Sequence, residues 1–200
     1  MGRGFFVETI SGHIVYPLFA TPGDISVDDI AHHLSHINRF NGATRYPYSV
    51  AQHSALMADY ALRSGYDLRY VMAVLMHDAA EAYLQDLITP IKLGCINSIY
   101  ETCTQTVDKA IRDFLVYCFG MVFPADADAL IRSLDTRILL TERATLMPRH
   151  SSKNSCGSEI ERGTYLPVKI KKWSARKAKK RFLKLFWQLT NNVKKKGSDQ

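Results

Sequence analysis

A histidine and an aspartate stand side by side at positions 77 and 78, in a stretch from 70 to 83 where Glu81 is the one other charged residue. Taking two such groups out of water costs several kcal/mol unless each finds a partner. Whatever this stretch packs into must therefore supply partners. One resolution is an ion that accepts lone pairs from both; a buried imidazole bonded to a neighbouring carboxylate is the other. The apolar spacing predicts one helix over residues 67–83. Adjacent helical residues point about 100° apart, so His77 and Asp78 can both reach an ion held between this helix and its neighbours. Glu81, at i+4 from His77 and i+3 from Asp78, shares their face.

Two further segments raise the case for a metal. Ser49 and Gln52 form the pattern of a capping box, which starts a helix there and puts His53 in its first turns. Asp135 lies on a helical stretch that follows Pro124. His53, His77, Asp78 and Asp135 together make a two-nitrogen, two-carboxylate set. Such a set suits a borderline divalent ion better than the all-oxygen shells of Ca²⁺ or Mg²⁺.

In order along the chain stand Ile37-Asn38-Arg39-Phe40, the string Ser49-Val50, His53-Ser54, the run from His77 to Ala82, the stretch from Asp86 to Lys92, and Asp135 followed by Glu142. In these elements the chain resembles the HD-domain metal-dependent phosphohydrolases over roughly residues 37–142. Within them it is most similar to bacterial 5′-deoxynucleotidases and phage dATP triphosphohydrolases. The resemblance implies a mainly helical HD-domain bundle. It implies that His53, His77, Asp78 and Asp135 hold the metal, that Glu81 and Asp86 are the catalytic carboxylates, and that Arg39 and Phe40 touch the substrate phosphate and its base or sugar. Phe40 departs from the deoxynucleotidases, which carry tryptophan there, so selectivity for base or sugar does not carry across. The cofactor is expected to be a divalent ion: Co, Mn, Zn, Fe or Mg.

The 200 residues, 46% of them hydrophobic, fit one domain with a substantial core. Residues 1–22 read as a short β-hairpin, with strands at 5–10 and 13–18 joined by a two-residue turn at Ser11-Gly12. Residues 23–147 read as the phosphohydrolase core and 148–200 as a loop and a basic helix packed on it or extending it. Helices are expected at about 26–38, 49–64, 67–83, 98–119, 126–147 and 174–190, with a loop at 147–164. The fold class is thus all-α with a small N-terminal hairpin. No run of about 18 uncharged apolar residues appears and the start lacks a signal-peptide pattern, so a cytoplasmic protein without a membrane span is expected. Cys95, Cys103, Cys118 and Cys156 show no C-x-x-C pairing and are expected to be reduced.

The net charge of +7 is uneven: from Lys169 to Lys196 there are 12 Lys or Arg and no acid, whereas 14 basic and 18 acidic residues precede Lys169, a net of −4 there. The tail could contact polyanions nonspecifically or serve subunit contacts in a homo-oligomer. His32 and His36 have the i, i+4 spacing of a metal pair but no obvious third ligand, so polar contacts are expected of this cluster. Glu101, Asp108 and Asp113 read as a solvated helix face. Arg45 and Lys92 read either as phosphate contacts or as ordinary surface charges.

The leading expectation is hydrolysis of a 2′-deoxynucleotide phosphoester, with release of triphosphate from a dATP-type deoxynucleoside triphosphate ahead of phosphate release from a monophosphate. A divalent ion would activate water and neutralise phosphoryl charge, while Arg39 offers a planar fork for phosphate oxygens. A different class, a basic nucleic-acid-binding module without hydrolase activity, rests on the basic tail with its interleaved Trp173, Phe182 and Trp187.

Overall fold

The computed structural model describes residues 5–87, 98–148 and 165–198, the side chains of 194–198 excepted. It is mainly helical, with one small antiparallel sheet formed by β1 (Val7–Glu8) and β2 (Ile14–Val15). The strands are shorter than the sequence implies and the connection is longer. Val7 pairs with Val15 and Glu8 with Ile14, and Thr9 N–H donates to His13 O at 2.9 Å. Three residues therefore form the loop, and Gly12 takes φ +83°, the left-handed position that such a loop needs.

Helix α1 (Val27–His36) opens where the Ser26 side chain accepts from Asp29 N–H, with Asp28 and Asp29 set against the positive end of the helix dipole. Helix α2 (Val50–Arg63) opens on Ser49, whose side chain accepts from Gln52 N–H. The reciprocal half of the expected capping box is missing, because Gln52 Nε2 donates instead to Lys171 O at 2.7 Å. Residues 50–58 are buried almost all round, so α2 must be enclosed by other helices. Those that pack on it are α1, α3 (Leu68–Met76), α6 (Ala127–Leu146) and α7 (Ala175–Ser198). Helix α5 (Ser98–Phe119) lies against the turns at Pro17–Phe19 and Pro22–Asp24 and reaches α7.

One expected helix needs correction. The helix predicted over 67–83 is broken: α3 ends at Met76, a tight turn holds 77–80, and the four-residue α4 (Glu81–Leu84) follows. The His77 ring causes the break, for its Nδ1–H donates to Val74 O at 2.8 Å. That carbonyl is the helical acceptor of Asp78 N–H, and a side chain inserted into the i→i−4 ladder ends it. Bonds of i→i+3 type take over, from Ala79 N to Met76 O and from Glu81 N to Asp78 O, each 3.0 Å.

The apolar stripe of the basic C-terminal helix packs into the core. Ala178, Phe182, Leu185, Phe186 and Leu189 of α7 are buried against α1, α2 and α3. The positive charges ride on its outer face, where Arg176, Lys177, Lys180 and Lys184 are exposed. Among the described residues no helix is long and apolar enough to cross a membrane. Cys103 and Cys118 are free thiols, while Cys95 and Cys156 lie outside the described residues.

Candidate metal centre

The turn after α3, the first turns of α2 and the middle of α6 converge on one point. His53 Nε2 lies 3.3 Å from His77 Nε2 and 3.3 Å from Asp135 Oδ1. Asp78 Oδ2 lies 3.1 Å from His77 Nε2 and 3.6 Å from His53 Nε2. One donor atom from each of His53, His77 and Asp135 falls within 4.8 Å of the others, and these three residues could hold a metal ion. Asp78 Oδ2 lies beside the two imidazoles but is not part of this three-residue group.

The second nitrogen of each imidazole decides what faces that point. His53 Nδ1–H donates to Glu142 Oε1 at 2.6 Å, and His77 Nδ1–H donates to Val74 O at 2.8 Å. With both Nδ1 atoms engaged as donors, both Nε2 lone pairs point inward at each other and at two carboxylate oxygens. Four electron-rich atoms at such distances repel unless a cation, a proton or a metal, sits among them. Glu142, fully buried, is a support that the sequence left without a role. It lies seven residues from Asp135, two turns along the same face of α6, and this spacing was the available signal. A carboxylate holding the far nitrogen of a ligating histidine fixes its ring and tautomer.

Charges are perturbed accordingly. Burial lowers the affinity of His77 for a proton, but Asp78 and Asp135 outweigh it and push its pKa up to about 9. Burial and Arg39 pull His53 down, and Glu142 and Asp135 more than reverse this. Burial opposes ionisation of Asp78, Asp135 and Glu142. It is overridden chiefly by His77 for Asp78 and by His53 for the other two, with Arg39 helping in each, so all three carboxyls titrate below the ordinary range. Without a metal, protons on the imidazoles stand in for it; metal binding must displace them.

Arg39, expected to grip phosphate, sits behind the carboxylates. Its Nε donates to Glu142 Oε2 at 3.3 Å, while Nη1 is 3.5 Å from Asp78 and Nη2 is 3.8 Å from Asp135. The last two are ion pairs too long for hydrogen bonds, so the outer edge of the fork is not closed. Phe40 stands beside it, the Arg39 guanidinium carbon 5.7 Å from the ring centre. Phe40 and Asn41 adopt φ of 57° and 50°, two successive non-glycine residues in the left-handed region. Such backbone costs about 1–2 kcal/mol per residue and persists where the surroundings impose it.

A cavity of about 330 Å³ opens beside the centre, lined among the described residues by His77, Asp78 and Glu81 on one side and Glu101, Gln105 and Asp108 of α5 on the other. Glu81 is buried and lines it, placed there by the turn over 77–80 rather than by one continuous helix. Asp86, half-buried beyond α4, is not among the described residues lining it. Asp108 contradicts the expected solvated face: it is half-buried, and burial pushes its pKa up to about 6, with Arg112 opposing and Asp78 adding. Asp113 does sit in solvent, paired with Lys109.

Among the described residues the other histidines form no metal group. His33 accepts from Ile10 N–H at 3.2 Å and donates to Ala82 O at 2.8 Å, tying the hairpin loop to α4. Arg45 is exposed, its backbone N–H on Leu146 O, and Lys92 lies outside the described residues.

No family model matches the chain. It is 37% identical over 131 residues to the uncharacterized protein RCAP_rcc00048 of Rhodobacter capsulatus, covering 64% of this chain and 65% of that protein. It is 33% identical over 141 residues to the uncharacterized protein YfdR of Escherichia coli K12, covering 70% of this chain and 72% of YfdR.

Proposed function

This chain belongs to the family of YfdR, and from its site geometry and motif order we propose that it is a metal-dependent phosphohydrolase acting on a 2′-deoxynucleotide. The observation that carries the reading is the inward convergence of the His53 and His77 Nε2 atoms with Asp78 and Asp135 oxygens, backed by Glu142. Asp78, Asp135 and Glu142 against Arg39 leave two negative charges when the imidazoles are neutral, which one divalent cation balances. The ordered motifs that resemble the HD-domain phosphohydrolases support the same reading.

A bound ion of this kind neutralises charge on a phosphoryl group and lowers the pKa of a water molecule. His53 and His77 hold their lone pairs ready, since both far nitrogens are tied. Arg39, with its Nε on Glu142 and its Nη atoms beside Asp78 and Asp135, places a positive charge behind the ligands that favours a phosphate at the ion. Glu81, beside Asp78 and facing the cavity, moves the proton between the attacking water and the leaving oxygen. Asp135 has 43% of its side chain exposed against 0% for His53, so in this reading the phosphate approaches from the Asp135 side.

Release of triphosphate from a deoxynucleoside triphosphate is the first reading, from the resemblance to the phage enzymes. Release of phosphate from a monophosphate is the second. The number of carboxylates around the cavity favours it, because a triphosphate brings several more negative charges to the same walls. The test is a panel of deoxy- and ribonucleoside mono- and triphosphates with Mn²⁺, Co²⁺, Zn²⁺, Fe²⁺ and Mg²⁺, the products separated by chromatography. Metal-dependent release of phosphate or triphosphate from a deoxynucleotide is expected; no hydrolysis with any ion overturns the proposal.

A further inference from the structure

The cavity beside the metal centre has a second wall to which neither the motifs nor the ligand set gives a role. Glu101, Thr104, Gln105 and Asp108 fall at i, i+3, i+4 and i+7 on α5, a single helical face, and all four line the cavity opposite His77 and Asp78. Asp108 also borders a smaller cavity of about 130 Å³ that His77 lines as well. Its carboxyl group is half-buried yet makes no hydrogen bond or ion pair among the described residues, although Arg112 stands one turn away. Arg112 points instead to Asp128, 3.9 Å off. A carboxyl group partly shielded from water, without a partner and held in a cavity wall, is placed to receive a donor from a ligand.

We propose that this face of α5 receives the nucleoside part of the substrate, and that Asp108 accepts a hydrogen bond from a neutral donor on it, a sugar hydroxyl or an exocyclic base amine. The assignment rests on the phosphohydrolase reading and adds an orientation to it. Phosphate belongs with the cation and Arg39. Asp78, Glu81, Glu101 and Asp108 around the cavity repel further phosphates but are good acceptors for hydroxyl and amine protons. The volume of about 330 Å³ lies at the small end of ligand pockets. Thr104 contributes acceptor lone pairs only, its hydroxyl proton being donated to Tyr100 O at 2.9 Å. Asp108 is therefore a specificity-determining contact rather than part of the proton-transfer machinery.

The test is calorimetric titration of the full-length protein loaded with Mn²⁺, using 2′-deoxyadenosine, 2′-deoxyinosine, 2′,3′-dideoxyadenosine and inorganic phosphate. Wild type, Asp108→Asn and Asp108→Ala are compared, with thermal melting confirming that each variant is folded. Deoxyadenosine should bind wild type and bind Asp108→Ala at least tenfold more weakly, with phosphate affinity unchanged. Asp108→Asn keeps shape and one acceptor oxygen and should fall between them. A loss of affinity in wild type for deoxyinosine identifies the amine as the donor; a loss for the dideoxynucleoside identifies the 3′-hydroxyl. Failure of deoxyadenosine to bind wild type, or equal affinity in all three proteins, overturns the assignment. Because nucleosides carry no phosphoester, the outcome is separate from the hydrolase question. Asp108-dependent binding in a protein that hydrolyses no nucleotide would sink the hydrolase alone, and hydrolysis with Asp108-independent nucleoside binding would sink the α5 assignment alone.

Discussion

Replacing Glu142 with glutamine isolates what the buried support does for the candidate metal centre. Glu142 accepts from His53 Nδ1–H at 2.6 Å and from Arg39 Nε–H at 3.3 Å, and its side chain is fully buried. Glutamine has nearly the same volume but only one acceptor oxygen, so one of the two donors must then face an NH₂ group. Breaking a buried charge pair from one side costs about 3–5 kcal/mol, and the retained contact puts Glu142→Gln near the lower end. Loss of ring orientation should weaken metal binding by about 10–100-fold. A second effect works the other way. Glu142 raises the proton affinity of His53, so the wild-type site must displace a proton that the variant holds less firmly. Proton competition fades as pH rises through the His53 pKa of the wild type, so the affinity gap between the proteins should widen from pH 6.5 to pH 8.5. Mn²⁺ titration at several pH values, with thermal melting of the metal-free proteins, measures both. Equal metal affinity at pH 8.5 together with an unchanged melting temperature would refute the role.

Other substitutions separate the remaining roles. His77→Ala and Asp78→Ala should each lose bound metal and hydrolysis together by elemental analysis and phosphate release, whereas Glu81→Ala should keep its metal and lose roughly 10² or more in turnover; normal metal content in the first two would defeat the ligand assignment. Asp108→Asn should stabilise the metal-free protein. A carboxyl whose pKa rises from 3.8 to about 6 on folding destabilises the fold by up to about 3 kcal/mol above pH 6 and by nothing below about pH 4. Denaturant melts at pH 4 and pH 7.5 should show the gain only at the higher pH, and a destabilised variant at pH 7.5 would contradict the account. On α7, neutralising Lys177, Lys179 and Lys180 should leave turnover intact and stability within about 0.5 kcal/mol. Phe186→Ala, by contrast, should cost about 3–5 kcal/mol, both readable from melts and initial rates.

Much of the architecture was legible because it depends on local pattern. The apolar spacing and the serine caps placed α1, α2, α5 and α6 to within a residue or two, and the fold class followed. The break at His77 was not legible, since it depends on an imidazole turning back to Val74 O, a choice that residue type alone does not dictate. The extent of β-pairing also escaped, because the Ser11-Gly12 turn signal does not reveal how many residues on either side find partners.

His53, His77, Asp78 and Asp135 were named together from residue chemistry and motif order, and that much belongs to the sequence. Tertiary structure decided what surrounds them. Arg39 and Glu142 lie 103 residues apart, as much a product of packing as the 119 residues between Gln52 and Lys171. Asp108 reads as one more surface acid on an amphipathic helix until the docking of α5 turns it into the cavity wall. The same holds for the basic tail, whose charges are visible in the chain but whose apolar stripe becomes core only against α1, α2 and α3. Local sequence determines which groups a segment offers. The environment that sets their partners, ionisation and exposure comes from segments distant along the chain, because burial and Coulomb interaction depend on distance in space and not along the backbone.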